Sequence, residues 1–211
     1  REKRWRFPEK RPKRNIILQD VSRTLPLEAT VGYAKIANRN AKEDSSDKLD
    51  MELTTFYSSI MGKKYDSAKF STSTYDALRQ VGVVDTSGIQ YSQFHQGAGE
   101  DATLDLLKLF HNIPDTSLVL IDEVEASLHP RSQRRLIHFL LWLARTKSIQ
   151  IILTTHSPYI LEELPMEARI FIERTSNNLD VSYGVTSNFA LNRMDDIDKP
   201  EVFLFVEDEE A

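Results

Sequence analysis

The segment that most limits what this chain can fold into is Leu118-Val-Leu-Ile-Asp-Glu123, an apolar run that leads straight into two acids. A strand apolar at every position belongs in a sheet covered on both faces, whereas a half-solvated strand alternates. A second run, Ile149-Gln-Ile-Ile-Leu-Thr-Thr155, leads into His156. Between them Leu136, Phe139, Leu140 and Leu143 recur at helical spacing over residues 131–145, and Pro130 suits the first turn. Strand, helix, strand is a βαβ unit, so the fold class is α/β. Open α/β sheets bind ligands at the carboxyl ends of their strands. Asp122, Glu123 and His156 are therefore expected along one rim.

Upstream, Gln96-Gly-Ala-Gly-Glu-Asp101 opens a helix that runs to about His111, with Leu106, Leu107 and Phe110 on one face. Glycines at a helix start leave backbone N–H groups open, and the positive end of the helix dipole points the same way. A phosphate fits such a place. Taken alone a glycine-rich turn before a helix is only a turn; its position shortly before the acid-tipped strand gives it weight. The chemistry available to these groups is phosphoryl chemistry. Asp122 is placed to hold Mg²⁺, which takes few carboxylates and keeps phosphate oxygens. Glu123 is placed to orient or deprotonate a water attacking phosphorus. His156 is placed to sense or stabilise the transferring phosphate.

The remaining segments frame this centre. Residues 15–19 read as a short apolar strand, residues 41–50 as a polar loop, and residues 49–61 and 73–81 as two modest helices. Ser157 and Pro158 open a short helix that Pro165 ends. Residues 168–172 and 179–183 read as the last strands of the same sheet, turned at 176–178. Pro200 marks a break before an apolar strand, residues 201–206, that ends in acids.

Composition excludes several classes. With no cysteine among 211 residues, neither disulfides nor thiolate metal sites are possible, which fits a reducing, cytoplasmic setting. No apolar stretch approaches the roughly 20 residues that span a bilayer, so no membrane partner is expected. The net charge of -5 conceals an uneven distribution. Residues 1–14 are strongly basic and include Trp5 and Phe7; residues 195–210 are strongly acidic. The basic stretch reads first as a solvated segment and second as a phosphate contact. A chain that starts without Met and stops just after an acidic cluster reads as part of a longer protein.

The motifs carry a resemblance. Residues 118–130 resemble the Walker B and D-loop segment of ABC-type ATPases, residues 154–161 resemble their switch-histidine segment, and Gln96–Asp101 sits where their signature motif sits. Leu128-His129-Pro130 is similar to the D-loop ending of the RecF-like branch. Residues 203–211 resemble the opening strand of a Toprim domain. ATPase followed by Toprim is the arrangement of the OLD (overcoming lysogenization defect) family of ATP-dependent nucleases, associated with anti-phage defence. The resemblance implies an ABC-type ATPase half-domain over residues 1–199 with a helical insertion at about 49–95, and a Toprim start at 200–211. It implies that Asp122 is a magnesium ligand, Glu123 the catalytic acid and His156 the switch histidine. It further implies that Gly97, Ala98, Gly99 and Glu100 form the signature, that Ser127 and His129 lie on a D-loop crossing a dimer interface, and that Glu207 is a metal ligand of the nuclease. ATP, Mg²⁺, DNA, a second copy of the chain and defence-system proteins follow as cofactors and partners.

Three departures qualify the match. Gly97 and Ala98 stand where Ser and Gly are commoner, Asp208 stands where a Gly is commoner, and no Gly-Lys-Ser/Thr sequence occurs anywhere. The chain is thus expected to be a fragment lacking the Walker A region. Two rival expectations remain: an ABC-type ATPase without nuclease activity, acting as a sensor or DNA-repair clamp, and a degenerate ATPase fold used as an interaction scaffold.

Overall fold

The computed structural model describes residues 13–25, 43–73, 76–174 and 178–195. The chain divides into two compact units, Arg1–Thr154 and Thr155–Ala211. The central element of the first unit is a three-stranded parallel sheet in the order β1-β6-β7, formed by β1 (Ile16–Gln19), β6 (Leu118–Ile121) and β7 (Gln150–Leu153). Leu118 pairs with Ile16 on one side and Gln150 on the other, so the acid-tipped strand lies in the middle. The strand–helix–strand reading of residues 118–155 is thereby met, with the long helix α3 (Pro130–Thr146) as the crossover and Pro130 in its first turn.

The two faces of this sheet are not equally covered. Val119 and Ile121 are buried, whereas Ile16, Leu18 and Ile152 are exposed. Three helices pack on one another in this unit: α1 (Met51–Met61), α2 (Ala98–His111) and α3. Their shared core holds Tyr57, Ile60, Leu104, Leu107, Phe110, Leu136 and Phe139. Phe139 is its hub, with ring centroids 4.9 Å from Phe56 and 5.8 Å from Phe110. Fully buried aromatic side chains of this kind carry the largest share of apolar burial in a small core.

The expected helical insertion is only partly helical. Residues 49–61 do form α1, capped by Asp50, whose carboxylate accepts from Leu53 N at 2.7 Å, and closed by Gly62 at φ 68°. Residues 73–81, expected as a helix, instead run from β3 (Ser67–Ser73) into β4 (Asp76–Thr86). The expected loop at 41–50 contains β2 (Glu43–Lys48). With β5 (Ile89–Ser92) these make a four-stranded antiparallel sheet in the order β2-β3-β4-β5. The physical reason is the sheet surface itself: Val81 and Val84 are buried, and β-branched residues fit a pleated, half-buried face better than a helix. Gly82 lets this sheet meet α2. A Cβ there would come within 2.6 Å of Leu104 Cδ2.

The second unit holds α4 (Pro158–Glu163), the antiparallel pair β8 (Ile170–Arg174) and β9 (Leu179–Tyr183), and α5 (Ser187–Asp195). These strands were expected to continue the parallel sheet; they form a separate two-stranded sheet. Phe171 packs edge-on against Phe189 of α5, with centroids 5.8 Å apart. The basic residues 1–12 and the strand expected at 201–206 lie outside the described residues, and so does Glu207. Arg14, from the end of the basic stretch, is a structural residue. It donates to Thr116 O at 2.7 Å, Gln150 Oε1 at 2.8 Å and Ser117 O at 3.2 Å, tying the amino ends of β6 and β7 together.

Candidate functional site

Where β6 ends, the backbone turns at Glu123, and the next apolar residue, Val124, is buried. Asp122 and Glu123 are left at the sheet rim with exposed side chains. Their backbone is bonded to β1 and to the residue that follows β7. Asp122 N donates to Gln19 O at 2.9 Å, and Val124 N to Thr154 O at 3.2 Å. Thr154 is the hinge of the arrangement: its hydroxyl accepts from Glu123 N at 2.9 Å and donates to Asp122 Oδ1 at 2.6 Å. Glu123 sits at φ 46°, a left-handed conformation that costs a non-glycine residue and persists only where surroundings fix it.

The loop after Glu123 is a pair of tight turns. Ala126 N bonds Glu123 O and Leu128 N bonds Glu125 O, each at 2.9 Å, and Ser127 adopts φ 65°. Ser127 and His129 are both exposed. His129 is the N-cap residue of α3 through its carbonyl, which accepts from Ser132 N at 2.8 Å; its ring makes no capping bond.

At the start of α2 the glycines behave differently from one another. Gly97 is the N-cap residue, no side chain caps the helix, and a Cβ on Gly97 would meet nothing within 4 Å. This is the open helix mouth that the sequence implies, with Ala98 beside it. Gly99 is a packing glycine: a Cβ there would overlap the carbonyl oxygen of Ser127 and touch Leu128. The glycine motif and the loop at 126–129 are therefore in direct contact within one chain. Glu100 turns inward. Its carboxylate accepts hydrogen bonds from the hydroxyls of Tyr65 and Tyr91, and Lys63 Nζ lies 3.7 Å away. Tyr57 OH adds a bond to Glu100 O at 3.1 Å. Burial, together with the Glu100 carboxylate, pushes the Tyr65 hydroxyl well above its usual range. Asp101 is buried as well, holding Gln93 Nε2 at 2.6 Å, and burial raises its carboxyl from the usual 3.8 to about 6.

The structure thus brings Asp122, Glu123 and Thr154 together at one rim, and Gly99, Ser127 and Leu128 together at the helix start. His156 is the second residue of the second unit; it is exposed, and the Ser157 N–H just after it bonds Thr155 Oγ1 at 3.0 Å. Thr154 and Arg23 escaped the sequence reading. Thr154 lies at a strand tip beside the acids, which a βαβ register points to; Arg23 has no local signal, since it is brought to the acids by β1.

The donors at the rim suit a hard cation. Among the described residues no group of three or more His, Cys, Asp or Glu side chains could hold a metal ion. The rim offers the carboxylates of Asp122 and Glu123 and the hydroxyl of Thr154, all oxygen, as for a cation that fills its shell with water and phosphate oxygens.

Residues 28–162 match the profile of the AAA_21 family, described as "AAA domain, putative AbiEii toxin, Type IV TA system". The chain belongs to the AAA_21 family. No curated protein matches it in sequence. This AAA_21 domain is similar in structure to a chain described under "Structural biochemistry of ATP-driven dimerization and DNA stimulated activation of SMC ATPases", at TM-score 0.53 and 12% identity, covering 71% of this chain and 91% of that one. The Smc head domain of Pyrococcus furiosus, with an extended coiled coil and bound to the C-terminal domain of ScpA, aligns at TM-score 0.42 and 10% identity, over 68% of this chain and 36% of that one. The AAA_21 domain therefore has the α/β fold of SMC ABC-type ATPases. Among its described residues, no helix is long and apolar enough to cross a membrane.

Proposed function

We propose that this AAA_21 domain binds and hydrolyses ATP between two copies of the protein, and that the ATP state gates metal-dependent DNA cleavage by an OLD-type nuclease in anti-phage defence. The observation that carries the ATPase part is the Asp122–Glu123 turn: two exposed carboxylates at a strand tip whose backbone is bonded on both sides. Asp122 and Thr154 would hold Mg²⁺, which when bound neutralises charge on the phosphate oxygens. Glu123 accepts the proton of a water whose oxygen attacks the γ-phosphorus, and ADP leaves with the electron pair of the broken bond. The open N–H groups at Gly97 and Ala98 face an anion, in this reading the ATP of the second copy, with Ser127 and His129 beside them on the loop that Gly99 contacts. His156 senses the γ-phosphate. This reading needs a Gly-Lys-Ser/Thr loop, which residues 1–211 do not contain, and it assigns Glu207 to the nuclease. The family description, with its toxin of a Type IV TA system, agrees with a defence setting.

A second reading keeps the ATPase and drops the nuclease. The likeness to an SMC ATPase favours a DNA sensor or clamp. Supercoiled plasmid separates the two: cleavage by the full-length protein that Glu207→Ala abolishes supports the nuclease, and ATP turnover without any cleavage supports the clamp. Pairing of two copies is tested by sedimentation of the Glu123→Gln protein. A dimer that forms only with ATP and Mg²⁺ is expected; a mass independent of ATP contradicts the shared site.

A further inference from the structure

Arg23 lies in a 3-10 turn (Val21–Thr24) directly after β1, and the turn packs against α2. Asp20 caps the turn by accepting from Ser22 N at 2.9 Å. The Arg23 side chain is 8% exposed. Its guanidinium reaches across to the neighbouring strand tip: Nη1 donates to Asp20 O at 2.8 Å and to Asp122 O at 2.7 Å, and Nη2 donates to Glu123 O at 2.5 Å. A buried cation is expensive unless it is hydrogen-bonded and balanced by opposite charge. Here three carbonyls satisfy it, and the charges of Asp122, Glu125, Asp20 and Glu123 oppose the loss of its proton that burial favours.

The consequence is that the backbone of Glu123 is held at both ends. Its N–H is fixed by Thr154 Oγ1, and its carbonyl accepts from Arg23 Nη2 and, within the turn, from Ala126 N. These bonds hold a residue whose φ is 46°, and Arg23 is the one side chain outside the turn among those described that grips the carbonyl. Only a planar fork with separate donors spans two successive carbonyls; a lysine ammonium offers one nitrogen.

We propose that Arg23 is a positioning residue for the Asp122–Glu123 acid pair, holding the turn in the conformation needed for hydrolysis while touching neither nucleotide nor water. The inference rests on the ATPase reading for its effect on turnover, and on geometry alone for the clamp. Two substitutions test it in the full-length protein, Arg23→Lys, which keeps the buried charge, and Arg23→Gln. Hydrogen–deuterium exchange of the segment around Glu123 and Val124 reads the clamp directly, and thermal melts check that the fold survives. Exchange in that segment is expected to accelerate by roughly tenfold in both variants while other segments stay unchanged. ATP turnover is expected to fall roughly 10- to 100-fold with ATP affinity unchanged, and free guanidinium ion is expected to restore part of the loss in Arg23→Gln. Unchanged exchange around Glu123 overturns the clamp, whether or not the protein hydrolyses ATP. Faster exchange with unchanged turnover overturns the positioning role. Absence of turnover in the wild type sinks the ATPase reading instead, and the exchange result still decides the clamp.

Discussion

Glu123 and Glu100 are held in opposite ways. Glu123 is fixed through its backbone, by Thr154 and Arg23, and its carboxylate projects into solvent. Glu100 is fixed through its carboxylate, by Tyr65, Tyr91 and Lys63, beneath a helix start whose N–H groups remain open. The contrast separates two jobs for one residue type. An acid that must meet a reactant needs a rigid main chain and an accessible head. An acid that must orient a helix needs an anchored head, so that the main chain can present the site. Gly99 joins the two regions by letting the helix start rest on the Ser127 carbonyl.

The strongest way to break the contrast is to force the regions apart. Gly99→Val places a branched side chain on the Ser127 carbonyl and should cost about 3 kcal/mol, at the upper end for overpacking. A denaturant midpoint close to wild type would show that the contact is loose. Glu100→Ala comes next. It strands two tyrosine hydroxyls and an ammonium, and a loss of about 2 kcal/mol is expected, with the double change Glu100→Ala and Tyr65→Phe recovering part of it.

Asp101→Asn sharpens the contrast with the smallest effect. Burial first, then the charge of Asp105, pushes the Asp101 carboxyl up to about 6, against the hydrogen bond from Gln93. The folded state therefore binds this proton more tightly than the unfolded chain does. The stability that the protonated group gives is complete below the ordinary carboxyl value and is lost as pH rises through about 6. Wild type should lose stability between about pH 4 and pH 7 relative to Asp101→Asn, as read from melting temperatures over that range. Parallel profiles would mean that Asp101 is solvated.

How much of this was legible follows the same division. The parallel strand, the crossover helix and the acids were plain in residues 118–156, because a doubly apolar strand and a helical stripe leave few alternatives. The antiparallel sheet was not. Ala77, Leu78 and Gln80 have helical propensity, and only the tertiary surface that takes up Val81, Gly82 and Val84 makes the segment a strand. The glycine motif was visible, but its two roles were not, since the carbonyl that explains Gly99 lies in a loop distant in sequence. Glu100 was expected to serve the nucleotide directly; its bonds to Tyr65 and Tyr91 come from the antiparallel sheet, which no local pattern announces. Arg23 was silent for the same reason.

The most direct measurement is ATP turnover by full-length protein carrying Glu123→Gln, alongside equilibrium ATP binding. Glutamine keeps the shape, leaves the backbone clamp intact and removes the carboxylate that the proposal makes the base. Turnover should fall by roughly 100-fold or more while ATP affinity stays within about twofold of wild type. Turnover equal to wild type would contradict the assignment of the exposed strand-tip acid as the hydrolytic base.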